Sequence, residues 1–271
     1  MSEPVKIAVM GAAGRMGRML VAEVMSRQGC VLSGATDMEN SPHLGEDAGL
    51  LAGCGEAGVK LVDDPAIVIA GADAIIDFTS PSATVEHARL AAQAGAAHII
   101  GTTGMTKEDE AALDLAARHT SVVYAPNFSV GVTVLMELTR KLAATLDEEW
   151  DIEVLEMHHR HKVDAPSGTA LGLGKAAADG RGVDHDQKRQ STRDGHTGPR
   201  KPGDIGYATL RGGDVVGEHT VMFANDAERI ELSHRATGRQ IFSNGAVRAA
   251  VWTKSQASGL YDMADVLGLR S

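Results

Sequence analysis

A chain of 271 residues exceeds one typical domain, so two domains or one large α/β unit are the open possibilities, and 43% hydrophobic residues fit a globular protein, not a disordered one. A formal charge of −10, from 26 Lys and Arg against 36 Asp and Glu, argues against nucleic acid or an anionic membrane as the main partner. Cys30 and Cys54 stand in no metal or redox spacing, no apolar run is long enough to cross a bilayer and no secretory signal opens the chain, so a soluble cytoplasmic protein is expected.

Val5 to Met10 is a short apolar run rich in β-formers that leads into Gly11-x-x-Gly14-x-x-Gly17 and then the apolar-periodic Met19 to Met25. Strand, glycine turn and helix in that order suit a dinucleotide pyrophosphate, which needs close backbone approach and the N–H groups of a helix start. The spacing departs from strict G-x-G-x-x-G, with Ala13 at the usual middle glycine, and an ordinary glycine-rich βα turn remains the alternative. Val31 to Thr36 reads as the second strand, and Asp37 follows it at the position where a carboxylate accepts hydrogen bonds from the adenosine ribose. Val59 to Val62, Ala74 to Thr79 and Ala97 to Ile100 precede helices, the last two of these starting near Pro81 and Thr106, an alternation that predicts a parallel doubly wound sheet. Phe78 to Pro81, Gly101 to Thr103 and Ala125 to Phe128 fall beyond the carboxyl ends of its strands, where such sheets bind ligands.

A helical pattern covers Val130 to about Leu146, and Ile152 to Met157 then alternates as a half-buried strand does. That strand runs out into His158-His-Arg-His-Lys162, followed by Pro166-Ser-Gly-Thr169 at the start of a helix reaching about Asp179. Two imidazoles can move protons near neutral pH, an ammonium can hold an anion or give a proton, and helix-start N–H groups can receive a carboxylate. A solvated basic loop is the plainer reading. Zinc is disfavoured, since His158, His159 and His161 lack both the His-Glu-x-x-His spacing and a cysteine partner. Gly180 to Gly206 is polar and predicts a long mobile loop. Ile205 to Arg211, Val215 to Asn225 and Glu228 to Ala236 read as strands, and the turn residues between them suit antiparallel pairing. The second domain is therefore expected to be α+β, with an open, mostly antiparallel sheet whose exposed face self-association would cover. Gln240 to about Ser258 reads as a final helix, and Tyr261 to Leu267 as a tail packing back on the first domain. The expected division is 1–129, with 239–271 returning to it, and 130–238, with crossings that would allow closure around a substrate.

The segment Glu156 to Ala170, together with Gly11 to Gly17, Ile100 to Gly104, Ala125 to Ser129 and Ser258 to Met263, closely resembles the dihydrodipicolinate (4-hydroxy-tetrahydrodipicolinate) reductase family of lysine biosynthesis. These blocks span almost the full chain in one order. The resemblance implies a Rossmann-type nucleotide domain, a homotetramer joined through the second-domain sheet, and hydride transfer from NADH or NADPH to a small dicarboxylate on the diaminopimelate route. Gly11, Ala12, Ala13, Gly14, Arg15, Met16 and Asp37 would hold the adenosine and pyrophosphate, and Gly101, Thr102, Thr103, Ala125, Pro126, Asn127 and Phe128 the nicotinamide end. His158 would be the acid/base and Lys162 a proton donor or carboxylate partner, while His159, Gly168 and Thr169 bind carboxylates. Members that use NADPH well usually carry an arginine after the acidic residue; Met38 stands there, so NADH is expected to be preferred. Another two-domain nicotinamide oxidoreductase and a non-catalytic dinucleotide sensor are the competing readings; a thioester-forming semialdehyde dehydrogenase is disfavoured because no cysteine follows Cys54.

Overall fold

The computed structural model describes residues 3–270. The chain divides into two compact units, Met1–Ser129 with Gln240–Ser271, and Val130–Arg239.

The first unit is built from βα repeats. β1 (Val5–Met10), α1 (Arg15–Ser26), β2 (Cys30–Thr36), α2 (Ala48–Ala52), β3 (Leu61–Val62) and α3 (Pro65–Ala70) form one half. β4 (Ala74–Asp77), α4 (Pro81–Ala94), β5 (Ala97–Ile100), α5 (Lys107–Ala117) and β6 (Ser121–Tyr124) form the other. β1, β4 and β5 are buried nearly throughout, which is why they read as continuous apolar runs: helices cover both faces of a parallel sheet. The strand order reverses between β1 and β4, and in such sheets the crevice beyond that switch point takes the ligand. Local chemistry sets the helix ends. Asp47 and Asp64 accept backbone N–H bonds at the starts of α2 and α3, and a capping box of Thr106 and Asp109 starts α5.

The second unit carries α6 (Val130–Thr145), β7 (Asp151–His158), α7 (Gly168–Arg181), α8 (His185–Lys188), β8 (Arg189–Gln190), β9 (Ile205–Arg211), β10 (Gly217–Ala224) and β11 (Arg229–Ala236). Its sheet has the order β11-β10-β7-β9-β8. Strict alternation along β7 sends Ile152, Val154, Glu156 and His158 to the buried face, where the apolar pair joins Leu135, Leu173, Tyr207, Val221 and Phe223 in one core. The opposite face carries Leu155, Met157, Met222 and Leu210, half-buried or exposed.

Three expectations change. β9 and β10 are not neighbours: β7 lies between them, antiparallel to β10 and parallel to β9, so the sheet is mixed although antiparallel ladders hold most of its paired residues. The turn residues report that the chain reverses, not which strand it then joins. Here the connection crosses the end of β7, with the Gly212 N–H donating to His158 O and the His159 N–H to Val215 O. The polar stretch 180–206 is anchored: β8 pairs with β9, and the Arg200 guanidinium donates to Asp151 Oδ1 at 2.7 Å, Glu153 Oε1 at 3.1 Å and Ile152 O at 2.9 Å. The helix expected to be the last, α9 (Gln240–Thr253), stops early; β12 (Gly259–Tyr261) adds a parallel edge strand beside β6, and α10 (Met263–Val266) follows.

Candidate active site

In the first unit the turn after β1 is built for close backbone approach. Gly11 adopts φ +66°, and a side-chain carbon at Gly17 would lie 2.2 Å from Gly11 O, so only glycine lets α1 close on the turn. Gly14 is the N-cap of α1, and Arg15 beside it is exposed. A cavity of about 480 Å3 lies over this turn, lined by Gly11, Gly14, Asp37, Met38, Thr79 and Ser80. Its lining also includes Glu39 and Asp63. Asp37 follows β2, as expected, and its Oδ2 accepts from the Ser41 hydroxyl at 2.6 Å. A bare backbone cradle beside a carboxylate fits a dinucleotide.

The residues assigned to the nicotinamide end differ in what they can offer. Thr103 and Pro126 are exposed. Phe128 is buried with its ring tilted against Phe78 at 5.5 Å, and Ala125 and Thr102 are buried too. The Thr102 hydroxyl is committed to an inner network: it lies 2.7 Å from Thr84 Oγ1 and accepts from the Thr79 N–H at 3.1 Å. Beneath it the fully buried Asp77 carboxylate meets His87 Nδ1 at 2.7 Å, His98 Nε2 at 3.2 Å and Thr79 Oγ1 at 2.6 Å. Burial disfavours that charge, yet the two histidines outweigh it and hold the carboxyl well below its ordinary range. Burial likewise holds His98 below the ordinary imidazole value. Sequence reading missed this cluster because its members come from β4, α4, β5 and the loops after β4 and β5, and meet only once β4, α4 and β5 pack together.

In the second unit β7 places Glu156 and His158 on one face, two residues apart. His158 Nδ1 lies 2.6 Å from Glu156 Oε2, and the Glu156 side chain is fully buried. The Arg211 fork, from the end of β9, donates to both Glu156 oxygens at 2.9 Å, and the Ser167 N–H donates to Oε1 at 3.0 Å. Burial opposes the Glu156 charge, but these donors prevail and keep its pKa below normal. For His158 burial lowers the pKa, and Glu156 only partly restores it. His219, from β10, stands edge-on to His158 with ring centroids 5.1 Å apart, and its Nε2 is 3.0 Å from Ser167 Oγ. Burial depresses His219 to about 4.

Ser167 is the N-cap of α7, its hydroxyl accepting from the Ala170 N–H at 3.1 Å. Gly168 is exposed, and the space where its side chain would be is open, as an anion-receiving helix start requires. Thr169, next along, is partly exposed. Lys162 Nζ is paired with Asp164 Oδ1 at 2.8 Å, which holds the Asp164 carboxyl below its normal pKa. His159 is half-buried, its ring 6.3 Å from His161. The structure thus places His158 beside Glu156 and His219, both of which meet Ser167, with Lys162 close enough to depress its pKa. Glu156, Ser167, Arg211 and His219 were not predicted as site residues. Glu156 was detectable from its two-residue spacing to His158, and Ser167 from its place in the helix opening. Among the described residues no group of three or more His, Cys, Asp or Glu side chains is arranged to hold a metal ion.

Comparison with known proteins fits both halves. A model of the dihydrodipicolinate reductase N-terminus matches residues 5–128, and one of its C-terminus matches residues 131–267. The chain is 56% identical over 264 residues to a 4-hydroxy-tetrahydrodipicolinate reductase of Methylocella silvestris, covering 97% of each, and 56% identical over 269 residues to one of Beijerinckia indica, covering 99% of each. A dipicolinate-bound dihydrodipicolinate reductase from Paenisporosarcina shares the fold, with a TM-score of 0.77 at 24% identity over 97% of this chain and 98% of that one. A parallel nucleotide sheet with this glycine turn, a second mixed sheet with this histidine segment and relatives matched end to end lead to one assignment: the chain belongs to the dihydrodipicolinate reductase family.

Proposed function

We propose that the chain reduces 4-hydroxy-tetrahydrodipicolinate to tetrahydrodipicolinate with NADH or NADPH, on the diaminopimelate route of lysine biosynthesis. The observation that carries this reading is the His158–Glu156 pair beside the Ser167-capped start of α7, in a chain 56% identical to reductases of that name. Residues 1–129 with 239–271 are the dinucleotide-binding domain, and residues 130–238 bind substrate and carry catalysis. The bound reduced nicotinamide supplies a hydride. Overall one hydride and one proton enter the ring and one water leaves. After water is lost, hydride addition to the conjugated imine leaves an electron-rich enamine carbon that must take a proton. His158 gives it from Nε2, since Nδ1 is engaged by Glu156. Lys162 exchanges Asp164 for a substrate carboxylate or passes the proton on, and His159, Gly168 and Thr169 hold the ring dicarboxylate. Leu155, Met157, Met222 and Leu210, half-buried or exposed among polar side chains on the outer face of the second sheet, support a homotetramer joined there, in a soluble cytoplasmic enzyme; no helix among the described residues is long and apolar enough to cross a membrane.

Loss of reduced-nicotinamide absorbance with freshly generated substrate tests the activity. His158→Gln and Lys162→Ala should each lower kcat by roughly a hundredfold, the usual scale for a general acid/base, while NADH binding, followed by its fluorescence, changes little. Near-normal turnover in both variants would remove these residues from the reaction.

A further inference from the structure

We propose that Glu156 is the positioning residue of the His158 imidazole: its carboxylate, held by Arg211 and the Ser167 N–H, fixes the ring with Nε2 as the proton-bearing atom presented to substrate. This rests on the reading of His158 as the proton donor.

Geometry supports it from four sides. An ionised carboxylate can only accept, so a 2.6 Å contact from Glu156 Oε2 requires the proton on Nδ1, which leaves Nε2 to gain and lose the second one. Both Glu156 oxygens are already occupied, by Arg211, His158 and the Ser167 N–H, so the carboxylate cannot swing away to another partner. The His219 ring packed edge-on limits rotation of His158. Gly217 uncovers the other edge: a side-chain carbon there would lie 2.9 Å from Nε2.

The charge arrangement has the same consequence. His158 faces Glu156 on its own strand, Arg211 from β9, His219 from β10 and Lys162 from the loop after β7. Burial and the two cations disfavour the imidazolium, and Glu156 is the group opposing them. Without it burial, the ammonium and the guanidinium would act on the ring unopposed and push its pKa further down. Arg211 also donates to Asp164 O at 2.6 Å, so the cation that fixes Glu156 also fixes the loop carrying Lys162.

The test uses Glu156→Gln, the double variant Glu156→Gln/Arg211→Met and Glu156→Asp in the full-length enzyme. The double variant removes both charges together, avoiding an unpaired buried guanidinium that could unfold the single variant. In the two Gln-containing variants kcat should fall about tenfold to a hundredfold, while the dissociation constant for dipicolinate changes less than about threefold. In Glu156→Gln the pH at which kcat falls on the alkaline side should move acidward by about one unit, because the imidazole has lost the carboxylate that retains its proton, and in the double variant by less, because the Arg211 cation that opposes the proton is lost with it. Glu156→Asp keeps the charge, so its limb should return toward the wild-type position. A wild-type limb and kcat in folded Glu156→Gln, or a wild-type kcat in the folded double variant, would overturn the proposal, as would equal losses in thermal stability and dipicolinate binding with no shift of the limb in Glu156→Gln. Near-normal turnover of His158→Gln would instead overturn the assignment on which it rests.

Discussion

The proposed choice of cofactor rests on one side chain, Asp37. Its carboxylate borders the cavity over the glycine turn, with Glu39 and Asp63 in the same lining, and the neighbouring Met38 is 72% exposed with no charge to offer. A ribose hydroxyl can donate to Asp37, whereas a 2′-phosphate would meet an acidic rim. One such unfavourable contact costs about 1–3 kcal/mol, roughly tenfold to a hundredfold in selectivity. The enzyme should therefore show the higher kcat/KM with NADH, and Met38→Arg should recover NADPH use through a bidentate guanidinium. That gain should weaken as salt rises. Wild-type preference for NADPH would mean that a basic group such as the exposed Arg15 reaches the phosphate and that the Asp37 argument fails. The position of Asp37 was legible in the sequence because it is local: the residue directly follows β2, a short distance past the glycine turn. Arg211 was not, since its tie to Glu156 spans 55 positions and exists only once β9 lies beside β7.

Among the elements, α7 has a start that serves structure on one side and is open on the other. Ser167 caps it, and the same residue's N–H holds Glu156. Gly168 follows with open space around it, a Cβ there meeting no neighbour within 4 Å, so a substituted chain should fold. Gly168→Val should consequently raise KM for substrate well above any change in KM for NADH, since the added bulk occupies the approach to the helix N-terminus. Unchanged steady-state KM would place the carboxylate elsewhere. The helix and its Pro-Ser-Gly-Thr opening were readable because capping chemistry is local. Sheet neighbours were not. The Gly-Gly-Asp turn predicted β9 against β10, but β7 took the centre, where its alternating buried side chains gain a strand on each side. β12 escaped for a different reason: three residues after a helix carry too little period to read as a strand.

At the scale of the whole molecule, buried titratable groups tie the fold to pH. An unfolded imidazole takes up a proton near pH 6.5, but His219 in the folded protein stays neutral until about 4. Between those values the unfolded chain binds more protons, so stability must fall as pH falls; above that window the group is neutral in both states and contributes nothing. The full effect for His219 is on the order of 3 kcal/mol. His98 and His158, both lowered mainly by burial, act in the same direction. Asp77 and Glu156 add a second stage: their folded pKa values lie below normal, so their stabilisation is present above the unfolded carboxyl value of about 4 and is lost as pH falls through the folded one. The two tryptophans separate the units, because Trp150 packs against the second unit's core and Trp252 sits on α9 against Tyr261. In a Trp252→Phe background, denaturant unfolding followed by Trp150 fluorescence should show stability declining between about pH 6.5 and 4. Adding His219→Gln, which keeps a polar partner for Ser167 but cannot take up a proton, should flatten that decline. The acid stage set by the carboxylates should remain. An equally steep decline with and without the His219→Gln substitution would show that His219 is not the group whose protonation the fold resists.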